Sequence, residues 1–340
     1  MTNRNISPAE PGGALEQPPP SNTAVLFLIF NRPDTTAIVF EAIRAARPAR
    51  LYVAADGART SRQAETQKCI ETRAIIKKVD WPCEVKTLFR DENLGCKRAV
   101  SGAIDWFFEH ESQGIILEDD CVPDISFFGF CEHLLLRYAE DERIGQIAGT
   151  SFVDATAAPT PDASYRYSRH FSIWGWATWR RAWKSYDSDL SAWPQFDCDR
   201  YMNTAYPLPK EREARRVQNR AIVNGRIDTW DYQWVFANAA QSRLSIVPSQ
   251  NLVVNIGFGA EATHTHFRHT IAPTLCYQTE LPPRHPQFVV ADNVYDTVLS
   301  KRLYPGWLIA KLGSLAARLK DVNYLRTLVS RTSASVQKAR

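Results

Sequence analysis

Residues 114–120, with the sequence Gly-Ile-Ile-Leu-Glu-Asp-Asp, decide the fold class, because three acidic residues directly follow a short apolar run. An apolar run of this length predicts a buried strand. Glu118, Asp119 and Asp120 then lie where that strand leaves the core, which is the usual position of a ligand site in an open α/β sheet. The segment therefore predicts a binding site at the carboxyl edge of a parallel sheet, and a solvated acidic turn is the alternative.

The three neighbouring carboxylates, here called the acidic triplet, also indicate what they bind. Adjacent carboxylates repel each other unless a cation lies between them, and Mg²⁺ or Mn²⁺ takes oxygen ligands while leaving positions for phosphate oxygens. The triplet therefore predicts a site for a divalent metal ion and a diphosphate. His264 and His266 alternate as on a strand, and His264 is a candidate to complete a metal site with Asp120, whereas a structural histidine is the alternative.

Apolar runs and helical patterns alternate along the first third of the chain. Four strands are predicted, each separated from the next by a helix, and this order is typical of a parallel sheet with helices on both faces. Right-handed crossovers bring the strand ends to one edge, so we expect Arg32, Asp56 and the acidic triplet to meet in one cleft. The predicted strands are 24–30, 51–55, 84–89 and 115–117, and the predicted helices are 35–47, 62–78 and 96–110.

The composition is that of an ordinary globular protein, since 44% of the 340 residues are hydrophobic and 23% are charged. Residues 1–22 are polar and Pro-rich, which predicts a disordered arm without the apolar segment of a signal peptide. No apolar run approaches the roughly 18 residues of a membrane span, and the seven cysteines lack zinc-site spacing. These features predict reduced thiols and a cytoplasmic location.

The net charge of +4 is unevenly distributed along the chain. Residues 301–340 contain nine basic residues and one acid, so this tail carries +8 and the preceding 300 residues carry −4. A mildly acidic body argues against nucleic-acid binding. Large apolar residues recur at spacings of three and four from Trp307 to Leu319, which predicts a basic amphipathic helix that contacts an anionic membrane surface. A helix packed on the main domain is the alternative.

Two further sites follow predicted strands. Asp56 is a candidate to bind a base or a ribose, whereas an aspartate that shapes a turn is the alternative. Lys97 and Arg98 lie at the start of a predicted helix, where the helix dipole disfavours cations; a bound diphosphate would relieve this, and two surface cations are the alternative. The sequence has neither a P-loop nor a G-x-G-x-x-G motif, which argues against P-loop nucleotidases and nicotinamide-dependent dehydrogenases.

The second half of the chain is rich in aromatic residues. Trp176, Trp179 and Trp183 recur at helical spacing, which predicts a buried helix face. Because aromatic rings also stack on sugars, Trp176 and Trp230 are candidates to bind an acceptor. Asp231 lies among large aromatic residues, where burial would make its carboxylate a better general base; an aspartate that caps a helix is the alternative.

Taken in order, these motifs resemble the GT-A fold of nucleotide-sugar-dependent glycosyltransferases. The most similar group is the N-acetylglucosaminyltransferase I-like group with its bacterial relatives, and the resemblance covers roughly residues 23–270. The ordered set is more specific than any single motif, although Lys97, Arg98 and the region of His264 do not correspond to positions of that group, and its membrane anchor is not recognised here. The motifs are Asn31-Arg32-Pro33, Asp56-Gly57, the turn 93–95, the acidic triplet, Gly175-Trp176 and Trp230-Asp231.

The resemblance implies an inverting, metal-dependent glycosyltransferase of bacterial surface glycan synthesis. Its cofactor would be Mn²⁺ or Mg²⁺, its donor a nucleotide sugar, and its acceptor a glycan or a lipid-linked glycan. A nucleotide-sugar half, 23–125, and an acceptor half, 126–300, would then form one domain, 23–300. The implied roles are metal ligand for Asp120 with Asp119 nearby, ribose contact for Glu118, base or ribose contact for Asp56, phosphate contact for Arg32, and catalytic base for Asp231.

Two other classes of protein remain open. A sugar-nucleotide nucleotidyltransferase would have a Gly-rich basic loop after its first strand, where this chain has Asn31-Arg32-Pro33. A non-catalytic protein that binds glycans or nucleotides on the same fold is the other, and the intact acidic triplet and Asp231 argue against it.

Overall fold

The structure is a computed structural model and describes residues 21–62, 64–160, 162–258 and 272–304. His264, most of the predicted arm 1–22 and most of the predicted tail 301–340 lie outside these residues, and the predictions made for them stay predictions.

The first half of the chain has the predicted alternation of strands and helices. Each helix carries the chain back so that the next strand runs parallel to the previous ones. The long second helix is shorter than predicted, because its last turn tightens into a 3-10 turn at Ile75–Lys78. The elements are β1 (Val25–Ile29), α1 (Pro33–Ala46), β2 (Arg50–Ala55), α2 (Glu65–Ala74), β3 (Glu84–Phe89), α3 (Gly95–His110) and β4 (Gln113–Glu118).

The second half mixes short strands with helices. Its helices carry few interior glycines or prolines, and its strands are short and mostly buried. The elements are β5 (Cys121–Pro123), α4 (Ile125–Arg137), β6 (Ile144–Ala148), β7 (Tyr165–Ser168), β8 (Trp176–Trp179), α5 (Arg180–Trp183), α6 (Trp193–Phe196), α7 (Asp199–Ala205), α8 (Pro209–Val223), α9 (Asp231–Ala240), β9 (Leu244–Pro248), β10 (Val253–Asn255) and α10 (Asn293–Leu303).

Eight of these strands form one central sheet in the order β3-β2-β1-β4-β8-β6-β9-β7. The strands β3, β2, β1 and β4 are mutually parallel, and so are β6 and β9. Strand β8 runs antiparallel between β4 and β6, and β7 runs antiparallel to β9. The predicted α/β fold with a mostly parallel central sheet is therefore confirmed, and a small antiparallel pair of β5 and β10 lies beside it.

Helices cover both faces of the sheet, as predicted. Alternate residues of β1 enter different hydrophobic clusters, because successive side chains of a strand point to opposite faces. Val25, Phe27 and Ile29 pack with apolar residues of α1 and α4. Leu26 and Leu28 pack with apolar residues of α3 and with the buried tryptophans of the second half.

The predicted helix through Trp176, Trp179 and Trp183 is wrong. Trp176 and Trp179 bound strand β8, and the helix α5 begins only at Arg180. Strand β8 lies in the middle of the sheet, where it pairs with β4 and β6 and is buried on both faces. A strand with two buried faces needs apolar residues on both of them, so its tryptophans resembled a helical pattern. The predicted burial of Trp176, Trp179 and Trp183 is confirmed.

Within the four described ranges, no helix is both long enough and apolar enough to cross a membrane.

Candidate functional site

A cavity of about 540 Å³ lies at the carboxyl ends of the parallel strands. The ends of β1, β2 and β4 bring to it the residues predicted from their positions after these strands, so the predicted convergence is confirmed. The aromatic second half closes the other side of the cavity. The predicted site residues that line it are Arg32, Asp56, Glu118, Asp119, Asp120, Trp230 and Asp231.

Arg32 and the acidic triplet form an ion-pair cluster at the ends of β1 and β4. The Nη2 atom of Arg32 pairs with Oδ1 of Asp119, and its Nη1 atom lies 2.9 Å from Oδ2 of Asp120. Burial works against the charge of Arg32, but Asp119 and Asp120 raise its pKa above the usual range. The guanidinium was predicted to face phosphates; in this structure it holds two carboxylates of the triplet.

The carboxylates of the triplet are crowded and poorly hydrated. Burial and the charges of Asp120 and Asp119 raise the pKa of Glu118 well above its ordinary value. Burial also raises the pKa of Asp119 to about 6, although Arg32 opposes this change. The Oε1 atom of Glu118 is buried and has no hydrogen-bond partner among the described residues. A ligand hydroxyl would satisfy this oxygen, since a buried acceptor without a donor is costly.

The end of β10 and the segment after it contribute two residues that were not predicted from the sequence. The Nδ2 atom of Asn255 lies 3.3 Å from Oδ1 of Asp120, and the N–H of Gly257 donates to Oδ1 of Asn255 at 2.8 Å. A Cβ atom on Gly257 would overlap Oδ2 of Asp120 and lie 2.8 Å from Nη1 of Arg32. Glycine therefore lets the backbone approach the ion pair. The signal for this site was present, because 255–257 repeats the Asn-x-Gly pattern of 93–95.

Asp56 lines the cavity, but its carboxylate also holds the start of α3. It accepts hydrogen bonds from Nδ2 of Asn93 at 2.9 Å and from the N–H groups of Leu94 at 3.0 Å and Gly95 at 3.2 Å. Burial raises the pKa of Asp56, while these backbone donors oppose the change. The alternative of an aspartate that shapes a turn matches these contacts, and a contact with a base or ribose stays a prediction.

The predicted donor contacts of Lys97 and Arg98 are not seen in the structure. Neither residue lines the cavity: Nζ of Lys97 lies 3.0 Å from Oδ1 of Asp189, and Arg98 is exposed. Helix α3 begins at Gly95, and the residues that it presents to the cavity lie one turn apart, at 95–96 and 99–100. The positions 97 and 98 then fall on other sides of the helix. The carboxylate of Asp56 is the anion that satisfies this helix start.

Two other cations line the cavity and were missed. Arg59 follows β2 and pairs with the buried carboxylate of Glu65, to which its backbone N–H also donates at 2.8 Å. Arg90 follows β3, where Nη1 donates to the carbonyl of Ala99 at 3.1 Å and burial lowers the pKa of Arg90. The positional rule that identified Asp56 would have identified Arg90, which directly follows β3, but not Arg59, which lies beyond Asp56-Gly57 after β2.

Asp231 is the first residue of α9 and lines the opposite side of the cavity. Its Oδ1 atom accepts a hydrogen bond from the hydroxyl of Thr229. The start of α9 has no side-chain cap, so the carboxylate is not used to cap the helix as the alternative required. In the described part of the chain, Oδ2 forms no hydrogen bond, which leaves it available to a ligand hydroxyl.

The tryptophans divide into buried and cavity-lining residues. Trp176 is 0% exposed and does not line the cavity, so the predicted acceptor contact of Trp176 is wrong. Its ring stacks on Trp230 with centroids 5.8 Å apart. Trp230 lines the cavity but is only 2% exposed. Trp174 was not singled out; it is partly buried, lines the cavity and packs edge-to-face on Phe258 at 5.9 Å.

The residues around the triplet fit a divalent cation that a substrate helps to bind. The guanidinium of Arg32 pairs with two of the three carboxylates, and the buried Oε1 of Glu118 has no hydrogen-bond partner among the described residues. Within the described ranges, no three His, Cys, Asp or Glu side chains are grouped as a complete metal site. Mg²⁺ and similar ions commonly use one or two carboxylates and take the remaining ligands from phosphates and water.

Comparisons with known proteins add no functional assignment. No protein-family description matches the chain, and no curated protein matches it either. The solved structures with a similar arrangement include HddC from Yersinia pseudotuberculosis, with 12% identity over 50% of this chain and 83% of that chain and a TM-score of 0.31. They also include UTP-bound UGPase from Acinetobacter baumannii, with 8% identity over 68% of this chain and 88% of that chain and a TM-score of 0.35. At TM-scores this low, neither structure indicates a function for this chain.

Proposed function

We propose that this protein is a metal-dependent, inverting glycosyltransferase that moves a sugar from a nucleotide-diphosphate sugar to a hydroxyl acceptor. The observation that supports this most is one cavity with two different polar walls. One wall holds the acidic triplet with Arg32, and the other holds Asp231, whose Oδ2 atom has no partner among the described residues. The donor and the acceptor hydroxyl would bind to different walls.

The donor would lie across the strand ends. Asp120, with Asp119 nearby, would hold Mn²⁺ or Mg²⁺, and the ion would supply stabilisation of the negative charge that develops on the departing diphosphate. Among the described residues, the cations that line this cavity are Arg32, Arg59 and Arg90. The buried Oε1 of Glu118 would accept a hydrogen bond from a hydroxyl of the ribose or sugar. Asp56, whose side chain lines the cavity, would contact the base or ribose.

The acceptor would lie against the aromatic wall. Its hydroxyl would donate to Oδ2 of Asp231, which takes the proton as the oxygen attacks the anomeric carbon. The bond from that carbon to the diphosphate breaks on the opposite side, and the electron pair leaves with the diphosphate. Attack opposite to the leaving group inverts the configuration. Trp174, and the small part of Trp230 that lines the cavity, would contact the sugar rings of a glycan or lipid-linked acceptor.

Calorimetric titration of the full-length protein with nucleotide sugars of different bases, with and without Mn²⁺, tests this proposal. We expect one donor to bind only in the presence of Mn²⁺ and to lose most of its affinity in Asp120→Ala. Asp189→Ala is the matched control, because Asp189 pairs with Lys97 outside the cavity. Failure of every donor to bind would contradict the proposal and favour a non-catalytic glycan-binding protein.

A second titration series separates the nearest competing enzyme class. A nucleotidyltransferase would bind a nucleoside triphosphate together with a sugar phosphate and release pyrophosphate. We expect no pyrophosphate release from such a mixture, and we expect nucleoside diphosphate to appear when the donor and a glycan acceptor are supplied together. Pyrophosphate release that survives Asp231→Asn would instead support the nucleotidyltransferase.

A further inference from the structure

The guanidinium of Arg32 binds the same carboxylate oxygens that a divalent cation would use. Its Nη2 atom pairs with Oδ1 of Asp119, Nε lies 3.4 Å from Oδ2 of Asp119, and Nη1 lies 2.9 Å from Oδ2 of Asp120. The contact follows from the topology, because β1 and β4 are adjacent parallel strands and their next residues meet at one edge. While Arg32 holds both carboxylates, all three of its guanidinium nitrogens are engaged and its charge is already paired, which weakens its interaction with a phosphate.

The other oxygen of Asp120 is also engaged. Its Oδ1 atom lies 3.3 Å from Nδ2 of Asn255 and 3.4 Å from Sγ of Cys121. These two neighbours are uncharged donors, so Arg32 is the only cation that pairs with Asp120 among the described residues. A divalent ion at Asp120 would therefore lie beside a guanidinium on the same carboxylate. Two cations on one carboxylate repel each other. The divalent ion is smaller and doubly charged, so its attraction to the carboxylate oxygens is stronger than that of the guanidinium.

Arg32 has room to move when this happens. Its side chain is 19% exposed and faces the cavity, whereas the side chain of Asp119 is only 5% exposed. Gly257 leaves space beside Nη1, because a Cβ atom on Gly257 would lie only 2.8 Å from it. Arg32 also lines the cavity, so its side chain can move towards the place where the diphosphate of a donor would lie.

We propose that Arg32 is an exchangeable internal counter-ion, which leaves Asp120 when a divalent cation binds and then binds the diphosphate of the donor. This inference rests on the proposed function, since it assigns the donor diphosphate to this cavity. One side chain would thereby couple the two binding events: the metal ion releases the guanidinium, and the diphosphate keeps it released. Coupling of this kind is reciprocal, so the diphosphate would also tighten metal binding.

Substitution of Arg32 should then change the two affinities in opposite directions. In Arg32→Met, the competitor for Asp120 is gone, so we expect Mn²⁺ alone to bind about tenfold more tightly than to the wild type. The phosphate contact is gone as well, so we expect inorganic pyrophosphate to bind the Mn²⁺-saturated variant about tenfold more weakly. Free Mn²⁺ measured by electron paramagnetic resonance reports the first affinity, and calorimetry with pyrophosphate reports the second, both on the full-length protein.

Arg59→Met is the matched control. It removes the same charge from the wall of the same cavity, but Arg59 pairs with Glu65 and not with the triplet. We expect its Mn²⁺ affinity to change less than twofold. An equal rise in Arg59→Met would show a general charge effect and overturn the exchange, and so would an unchanged or weaker Mn²⁺ affinity in Arg32→Met.

Arg32→Lys keeps the proposal testable if Arg32→Met does not fold. Lysine retains the charge but not the planar two-pronged geometry, so we expect smaller changes with the same two signs. Absence of Mn²⁺ binding to the wild type and to both variants would also overturn the exchange. The proposed function fails separately, when no nucleotide sugar binds the wild-type protein under any metal condition.

Discussion

The two halves of the sheet use their polar and aromatic residues in different ways. In 23–125, four parallel strands end at one edge, and the residue after almost every strand lines the cavity. In 126–304, the strands run in both directions, and most large aromatic residues pack in the core. Position along the chain therefore locates the site in the parallel half and fails to locate it in the mixed half.

Asp56 and Asp231 show what this difference means for single residues. Both are acids that line the cavity. Asp56 lies at a parallel strand end and uses its carboxylate to hold the start of α3. Asp231 begins a helix of the mixed half, and its carboxylate is held only by the hydroxyl of Thr229 among the described residues. Asp56, whose position is easier to predict from the sequence, therefore forms more hydrogen bonds that hold the fold than Asp231 does.

The largest expected effect lies at Asp231. Asp231→Asn keeps the size of the side chain and removes the base, so we expect turnover to fall by about 10²–10⁴-fold, while donor affinity measured by calorimetry stays within twofold. Asp228→Asn is the control, because Asp228 is exposed and does not line the cavity. Undiminished turnover of Asp231→Asn would remove the catalytic assignment and leave the mixed half without a chemical role.

A second pair of substitutions tests the division among the tryptophans. Trp176→Ala removes a fully buried ring, so we expect the free energy of unfolding to fall by about 3–5 kcal/mol in urea titrations. Trp174→Ala should cost less than about 2 kcal/mol but raise the KM for the acceptor about 3–10-fold, as the loss of an aromatic contact does. The reverse result, a mild Trp176→Ala and an unaffected KM in Trp174→Ala, would restore Trp176 as the acceptor contact.

A smaller effect than those of Asp231→Asn and Trp176→Ala is expected from the buried charge of the parallel half. The pKa of Asp119 is about 6 in the folded chain against an ordinary value of 3.8, so the folded chain binds this proton more tightly than the unfolded chain. Asp119 therefore makes the fold less stable as the pH rises from about 4 to 6, by about 3 kcal/mol once it is ionised. Asp119→Asn has no such loss, so its stability relative to the wild type should improve by about this amount between pH 4 and pH 7.

Urea unfolding at a series of pH values measures how the difference in free energy of unfolding between Asp119→Asn and the wild type changes with pH. The substitution also removes a partner of Arg32, but that loss shifts the difference by the same amount at every pH and leaves its slope unchanged. Asp189→Asn is the control with the opposite sign, because the hydrogen bond from Lys97 lowers the pKa of Asp189. If the difference in free energy of unfolding between Asp119→Asn and the wild type does not change with pH, ionisation of Asp119 does not destabilise the fold.

The sequence by itself determined the parallel half and the edge at which its site lies. Strands separated by helices must run parallel with right-handed crossovers, so Arg32, Asp56 and the acidic triplet converge whatever their side chains do. The same rule, applied to every strand end, would have included Arg90, which directly follows β3.

Only the tertiary structure decided what these side chains contact. Whether Arg32 meets phosphate or carboxylate depends on β1 and β4 being neighbours, and whether Lys97 reaches the cavity depends on the rotation of α3 about its axis. Whether Trp176 is a helix residue or a core strand residue depends on β8 lying between β4 and β6, which no local pattern contains. Spacing along a chain constrains one element at a time, and contacts are set by the packing of several elements together.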